Sequence, residues 1–179
     1  MTDYFALLGE ARRPWLDPEK LKEKYFALAR ERPADAELNE AFRVLSDPKL
    51  RLHHLLVLEG ADLSAGRDVP AALAEFFWNT GTLLRDVDRW LLKQTDATGA
   101  LARALLSGER SKLERKLEEL GSELARRYEA EVTELRDLDS SSPLSPNELS
   151  RLLGHHDVIS YLTRLREQVA EKRFRLKTA

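Results

Sequence analysis

The chain contains no cysteine. A disulfide framework, a thiol nucleophile and every zinc site built on thiolates are thereby excluded, and a reducing compartment is implied. Long hydrophobic runs are also missing. No apolar stretch approaches the ~18–20 residues of a membrane span. The start, Met1-Thr2-Asp3-Tyr4, lacks the basic region of a signal peptide. The expectation is a soluble, cytoplasmic protein with no membrane partner. Charge of one sign is not in excess. Lys+Arg 29 against Asp+Glu 31 gives a formal net charge of −2, which argues against bulk electrostatic capture of nucleic acid. Enzyme signatures are lacking too: there is no Gly-rich phosphate loop, no G-x-S-x-G and no H-E-x-x-H. Neither enzymatic activity nor a cofactor is expected. Gly 8, Pro 7 and an aromatic fraction of 7% are low. By contrast, 34% of the residues are charged, above the usual share of about 25%. The hydrophobic fraction, 42%, suffices to bury a core. A length of 179 residues allows one domain or two small ones.

Strand-like alternation is nearly absent, and the apolar residues recur at helical spacing. Tyr4 to Leu8 forms a short apolar segment that ends at Gly9. Asp17-Pro18 supplies an N-cap and a proline at the first helical position, where its missing N–H costs nothing. The helix that follows carries Leu21, Tyr25 and Leu28 on one face and should end near Pro33. Asp35 caps a third helix with Leu38, Phe42 and Leu45, stopped by Asp47-Pro48. A fourth, with Leu52, Leu55, Leu56 and Leu58, stops at Gly60. Residues 61–69 are polar and contain glycine, as expected of a linker. Pro70 then opens a long helix carrying Phe76, Phe77, Leu83, Leu84, Val87 and Leu91, interrupted over Thr95–Thr98. A short helix through Leu101 and Leu105 should end at Ser107-Gly108. The longest run carries Leu113, Leu117, Leu120, Leu124, Tyr128, Val132 and Leu135, with Glu, Arg and Lys on its other faces. Asp139 to Pro143 reads as a loop. Ser145-Pro146-Asn147-Glu148 reads as a capping box, with Gly154 ending that helix and a last one carrying Val158, Tyr161, Leu162, Leu165 and Val169. The fold expected is all-α: a small N-terminal helical domain over residues 1–60, a linker over 61–69 and an antiparallel helical bundle over 70–179.

Three segments of the first domain carry a family resemblance. Asp3-Tyr4-Phe5-Ala6-Leu7-Leu8-Gly9 resembles the opening "DYFxLLG" of J-domain co-chaperones, the partners of DnaK-type heat-shock ATPases. Leu21 to Ala29 is similar to their second helix. Asn39-Glu40-Ala41-Phe42-Arg43-Val44-Leu45-Ser46-Asp47-Pro48, with Lys49-Leu50-Arg51, resembles their third helix and its exit, "NEAYRVLSDPxxR". The segments occur in the family's order over residues 3–58. The helical second half resembles the HscB branch, the co-chaperone of iron–sulfur cluster assembly, with Tyr161-Leu162-Thr163-Arg164-Leu165-Arg166-Glu167 similar to its "FLxKLRxE" segment. The resemblance implies two partners, a DnaK-type ATPase and an iron–sulfur scaffold protein. It also exposes a departure. J domains carry His-Pro-Asp after the second helix, where it triggers ATP hydrolysis. The gapless register places Pro33-Ala34-Asp35 there, keeping only the Asp; one residue back lies Arg32-Pro33-Ala34, keeping only the Pro. No histidine is near, and the loop is short. ATPase stimulation is therefore not carried over to this chain.

The resemblance further implies that a basic second helix docks on an acidic face of the ATPase, which nominates Lys20, Lys22, Lys24, Arg30 and Arg32. Complementary charge would orient that encounter without the tripeptide. The alternative is a solvated face, with Glu19, Glu23 and Glu31 diluting the charge. In the second half, Phe77 and Trp78 are candidate partner anchors, because Trp78 lies about 100° around the helix from Phe77. Burial in the bundle or at a domain junction is the commoner fate of such rings. The HscB resemblance places a scaffold-binding surface between Pro70 and Leu106. Two histidine pairs, His53-His54 and His155-His156, read as helix-surface or cap positions. Adjacent helical residues diverge, so a metal site would require both pairs to converge with a carboxylate, and none is expected. Glu118-Glu119 and Glu129/Glu131 read as surface salt-bridge partners. A structural or regulatory adaptor that keeps the J-like scaffold without chaperone activity is the rival reading.

Overall fold

Four aspartates start the four helices of the N-terminal region. In the computed structural model, which describes residues 1–63, 73–95, 99–138 and 143–179, Asp3 caps α1 (Tyr4–Leu7), Asp17 caps α2 (Pro18–Glu31), Asp35 caps α3 (Ala36–Ser46) and Asp47 caps α4 (Pro48–Leu58). Each carboxylate accepts one or two backbone N–H groups that lack an intrahelical partner, a bond worth about 0.5–2 kcal/mol per cap. Pro18 and Pro48 take the first helical position. Gly9 (φ 63) and Gly60 (φ 76) turn the chain out of α1 and α4. Both use the left-handed region that glycine tolerates best. The expected starts and stops of these helices are thus observed.

Helix α3 is central to this region, packing against α1, α2 and α4. Leu38, Ala41, Val44 and Leu45 of α3 are buried together with Phe5, Leu8, Leu21, Leu52, Leu55 and Leu56. Two polar residues share that burial. Arg51 is 4% exposed and His54 5%, so the reading of His54 as a surface or cap position is corrected. Helix α4 buries so wide an arc (Arg51, Leu52, His54, Leu55 and Leu56) that polar positions fall inside it.

Three longer helices complete the all-α fold: α5 (Ala74–Thr95), α6 (Ala100–Asp137) and α7 (Pro146–Thr178). Two expected breaks do not occur. Helix α6 runs through Gly108 and α7 runs through Gly154, neither of which takes a positive φ. An internal glycine costs a helix only about 1 kcal/mol relative to alanine, and the apolar stripe resumes beyond each one, at Leu113 and Leu117 and at Ile159 and Leu162. The capping box is formed: the Ser145 backbone N–H donates to Glu148 Oε2 at 2.9 Å, and the Glu148 N–H donates to Ser145 Oγ at 3.3 Å. Most of the linker expected at 61–69, the Pro70 helix start, the break at Asp96–Thr98 and the loop at 139–142 lie outside the described residues.

The chain divides into two compact units that are discontinuous in sequence. One comprises Met1–Asp68 with Ala130–Ile159, the other Val69–Glu129 with Ser160–Ala179. The first adds the end of α6 and the start of α7 to α1–α4, with Leu135, Leu152 and Ile159 fully buried. The second buries Leu84, Val87 and Trp90 of α5, Leu117 and Leu124 of α6, and Leu162, Leu165, Val169 and Leu176 of α7. There the Trp90 indole N–H donates to Leu106 O at 2.9 Å, and Lys172 pairs with Asp88 at 2.5 Å. The charge on α6 is arranged largely as expected, in same-helix pairs such as Arg110–Glu114 and Arg127–Glu123, each worth about 0.3–0.5 kcal/mol. Among the described residues no helix is long and apolar enough to cross a membrane.

Candidate partner interface

The second and third helices are held together by the residues that carried the sequence resemblance. The Tyr25 ring stacks on Phe42, with centroids 4.2 Å apart, and its hydroxyl donates to Asn39 Oδ1 at 2.7 Å. In the opening segment, Phe5 and Leu8 are buried. Asp3 pairs with Arg12 at 2.9 Å as well as capping α1. Burial alone would raise the Asp3 pKa, but the hydrogen bonds from Ala6 and Arg12 hold it below the ordinary value, because they favour the charged form.

The five nominated cations do not form one stripe. Successive residues rotate by about 100°, so Lys20 and Lys24 flank one edge of the Leu21–Leu28 stripe and Lys22 the other. Arg30 lies on the outer surface beside Phe26, which is 50% exposed, and Arg32 is the C-cap residue of α2. Lys24 is occupied: its ammonium donates to Gly9 O and pairs with Glu10, both at 2.8 Å. Lys20, Lys22, Arg30 and Arg32 lie toward solvent and form no ion pair among the described residues.

At the tripeptide position, Pro33 and Ala34 are exposed, while Asp35 accepts the Glu37 and Leu38 N–H groups at 3.0 and 3.1 Å. The one surviving acid of the gapless register is thus engaged as a helix cap. Ala34 takes a positive φ, a left-handed conformation that costs an L-residue about 1–2 kcal/mol. Replacing Ala34 with glycine should raise stability by about 0.5–1 kcal/mol, part of the relief being offset by glycine's greater unfolded-state entropy. Replacing it with proline should lower stability, because the proline ring fixes φ in the negative region. Thermal melts of the two variants check both signs.

His54 packs against α1. Its Nε2 accepts the Tyr4 backbone N–H at 3.1 Å, and its ring stacks on Tyr4 and Phe5 with centroids 4.6 and 5.8 Å away. Accepting at Nε2 requires the neutral ring with its proton on Nδ1. Burial pushes its pKa below the ordinary 6.5, although the Asp3 charge opposes this. Desolvation disfavours the charged ring. Folded His54 therefore refuses a proton that the unfolded chain takes up. Its contribution to stability is complete above pH 6.5 and declines as pH falls below that value. An NMR titration of the ring should give a midpoint below 6.5; a midpoint at or above it would rule out the buried neutral ring.

The other histidines do approach one another. His53 and His156 have ring centroids 5.4 Å apart, and His155 Nδ1 lies 2.5 Å from Glu131 Oε1. Glu131, Glu134 and His155 offer ligand atoms that all fall within 4.8 Å of one another. Glu131 is therefore not the Lys/Arg salt-bridge partner expected, because α7 brings an imidazole against it.

In the second unit, Phe77 is 39% exposed and packs edge-on against Tyr161 at 5.4 Å. Trp78 is 69% exposed, with the Arg85 guanidinium 5.9 Å from its ring. The commoner fate, burial, does not apply to Trp78, which points away from the Leu84–Val87 stripe. A groove of ≈ 280 Å³ between α5 and α6 has Trp90 and Leu113 in its wall and Arg89, Lys93, Lys112 and Lys116 around it. Sequence reasoning missed Arg51, His54 and this groove. The available signal for Arg51 was a cation set in the apolar run Leu50-Arg51-Leu52; nothing local marked the groove.

No protein-family model and no curated protein sequence matches this chain.

Proposed function

We propose that this chain is an HscB-like, J-domain-type docking protein that binds a DnaK-type ATPase through α2 without triggering hydrolysis. The observation that carries this reading is the α2–α3 pair. Tyr25, Asn39 and Phe42 lock the two helices together, which leaves Lys20, Lys22, Arg30 and Arg32 toward solvent without ion-pair partners among the described residues. Free cations on a rigid helix favour electrostatic docking on an acidic surface. Asp35 is engaged in capping α3 and no histidine stands near it in the sequence, which supports docking without stimulation. Through its second unit the protein would hold an iron–sulfur scaffold protein. The Trp90–Leu113 groove and the exposed Trp78 suit such a role chemically, since aromatic anchors and pockets dominate interface energetics. Pull-down with a DnaK-type ATPase, combined with single-turnover ATP hydrolysis, tests the proposal. Capture without acceleration supports it, and failure of capture at low salt overturns it.

The exposure of Phe77 and Trp78 also favours the second reading, an interaction adaptor that keeps the J-like scaffold only as a folding unit. Sedimentation separates the two. An obligate oligomer that buries the Lys20–Arg32 surface would support the adaptor.

A further inference from the structure

We propose that Glu131, Glu134 and His155 form a binding site for a divalent transition-metal ion of the zinc type. Glu131 and Glu134 are three residues apart near the end of α6, so both carboxylates project from one side of the helix. His155, on the first part of α7, faces them. The ligand atoms of all three lie within 4.8 Å of one another. A tetrahedral ion with bonds of about 2.0–2.1 Å sets its ligand atoms about 3.3 Å apart, a spacing reached here by small side-chain rotations.

Two further observations separate this cluster from the ordinary charged surface of α6. Glu114, Glu118, Glu119 and Glu123 each pair with an arginine. Glu131 and Glu134 pair with no lysine or arginine among the described residues, so their charge is uncompensated by a fixed cation. The site is also half-sheltered. The Glu131 and His155 side chains are 15% and 16% exposed, while Glu134 stands at the solvent edge as a route of entry. One imidazole with two carboxylates suits zinc, iron, manganese or nickel better than magnesium or calcium, which prefer all-oxygen sites. Three protein ligands leave a fourth position for water.

Binding displaces the hydrogen bond between His155 Nδ1 and Glu131 Oε1, now 2.5 Å. Nδ1 must offer its lone pair, so its proton moves to Nε2 or, from an imidazolium ring, leaves to solvent. The ion then ties the end of α6 to the start of α7. His156, one residue on, turns its ring toward His53 and lies outside the ligand set.

The test uses the full chain stripped of metal by chelation, titrated with Zn²⁺ by calorimetry and melted with and without the ion. One ion per chain is expected. With Zn²⁺ at a hundredfold excess over its Kd, the Tm should rise by roughly 5–10 °C. His155→Gln and the exposed Glu134→Gln should each weaken binding at least tenfold, whereas His53→Gln should leave it unchanged. Absence of saturable binding overturns the proposal. So does binding that survives His155→Gln but is lost in His53→Gln, which would place the ion at the His53–His156 pair.

Discussion

Replacing Arg51 with leucine should cost the protein about 3 kcal/mol of stability, because each of two buried carbonyls left unpaired costs about 1–3 kcal/mol. The residue is 4% exposed. Its Nε donates to Pro14 O at 2.9 Å and its Nη1 to Leu45 O at 2.6 Å. Leu45 is in the last turn of α3, where carbonyls have no intrahelical donor, and Pro14 belongs to the irregular segment that leads into α2. One side chain thus fastens the approach to α2 onto the end of α3. Arg51→Lys should recover little of the loss, since a compact ammonium cannot reproduce two directed N–H bonds and is more strongly hydrated. Urea denaturation followed by circular dichroism checks both variants. A leucine variant within about 1 kcal/mol of the wild type would contradict the role given to Arg51, because that is no more than an ordinary hydrogen bond contributes.

Reversing charge on α2 should act on binding and leave folding alone. The triple variant Lys20→Glu, Lys22→Glu and Arg30→Glu removes three surface cations, so its stability should remain within about 1 kcal/mol of the wild type. Under the proposed docking, its affinity for a DnaK-type ATPase should fall by about a hundredfold at low salt, mostly through a slower association rate, and by less as salt screens the charges. Lys24 is left in place because it fastens α2 to Gly9 and Glu10. Lys24→Ala should therefore disturb the packing of α2 more than the electrostatics of the encounter. Association rates over a salt series, with melts of each variant, distinguish the two effects.

Local chemistry was the legible part of the fold. Asp17-Pro18, Asp35, Asp47-Pro48 and the Ser145–Glu148 box each declare a helix start through hydrogen bonds spanning two or three residues, and all four form. Gly9 and Gly60 terminate helices because the apolar pattern ends with them. Gly108 and Gly154 do not, because it continues. Burial was less legible where a polar residue has a distant partner. His54 accepts the Tyr4 N–H, fifty positions earlier, and Arg51 donates to carbonyls at Pro14 and Leu45. The approach of Glu131 to His155 likewise depends on the packing of two helices, which periodicity within either one does not encode. For the candidate interface, residue identities were legible but their distribution was not: rotation along α2 spreads the five cations, and the Glu10 carboxylate takes up Lys24.

The most direct test of the proposed function is to titrate a DnaK-type ATPase, preloaded with ATP, with the full chain while following binding and single-turnover hydrolysis together. Saturable, salt-sensitive binding is expected, with the hydrolysis rate unchanged. Absence of binding at low salt would contradict docking through α2, and accelerated hydrolysis would contradict the inactivity assigned to Pro33-Ala34-Asp35.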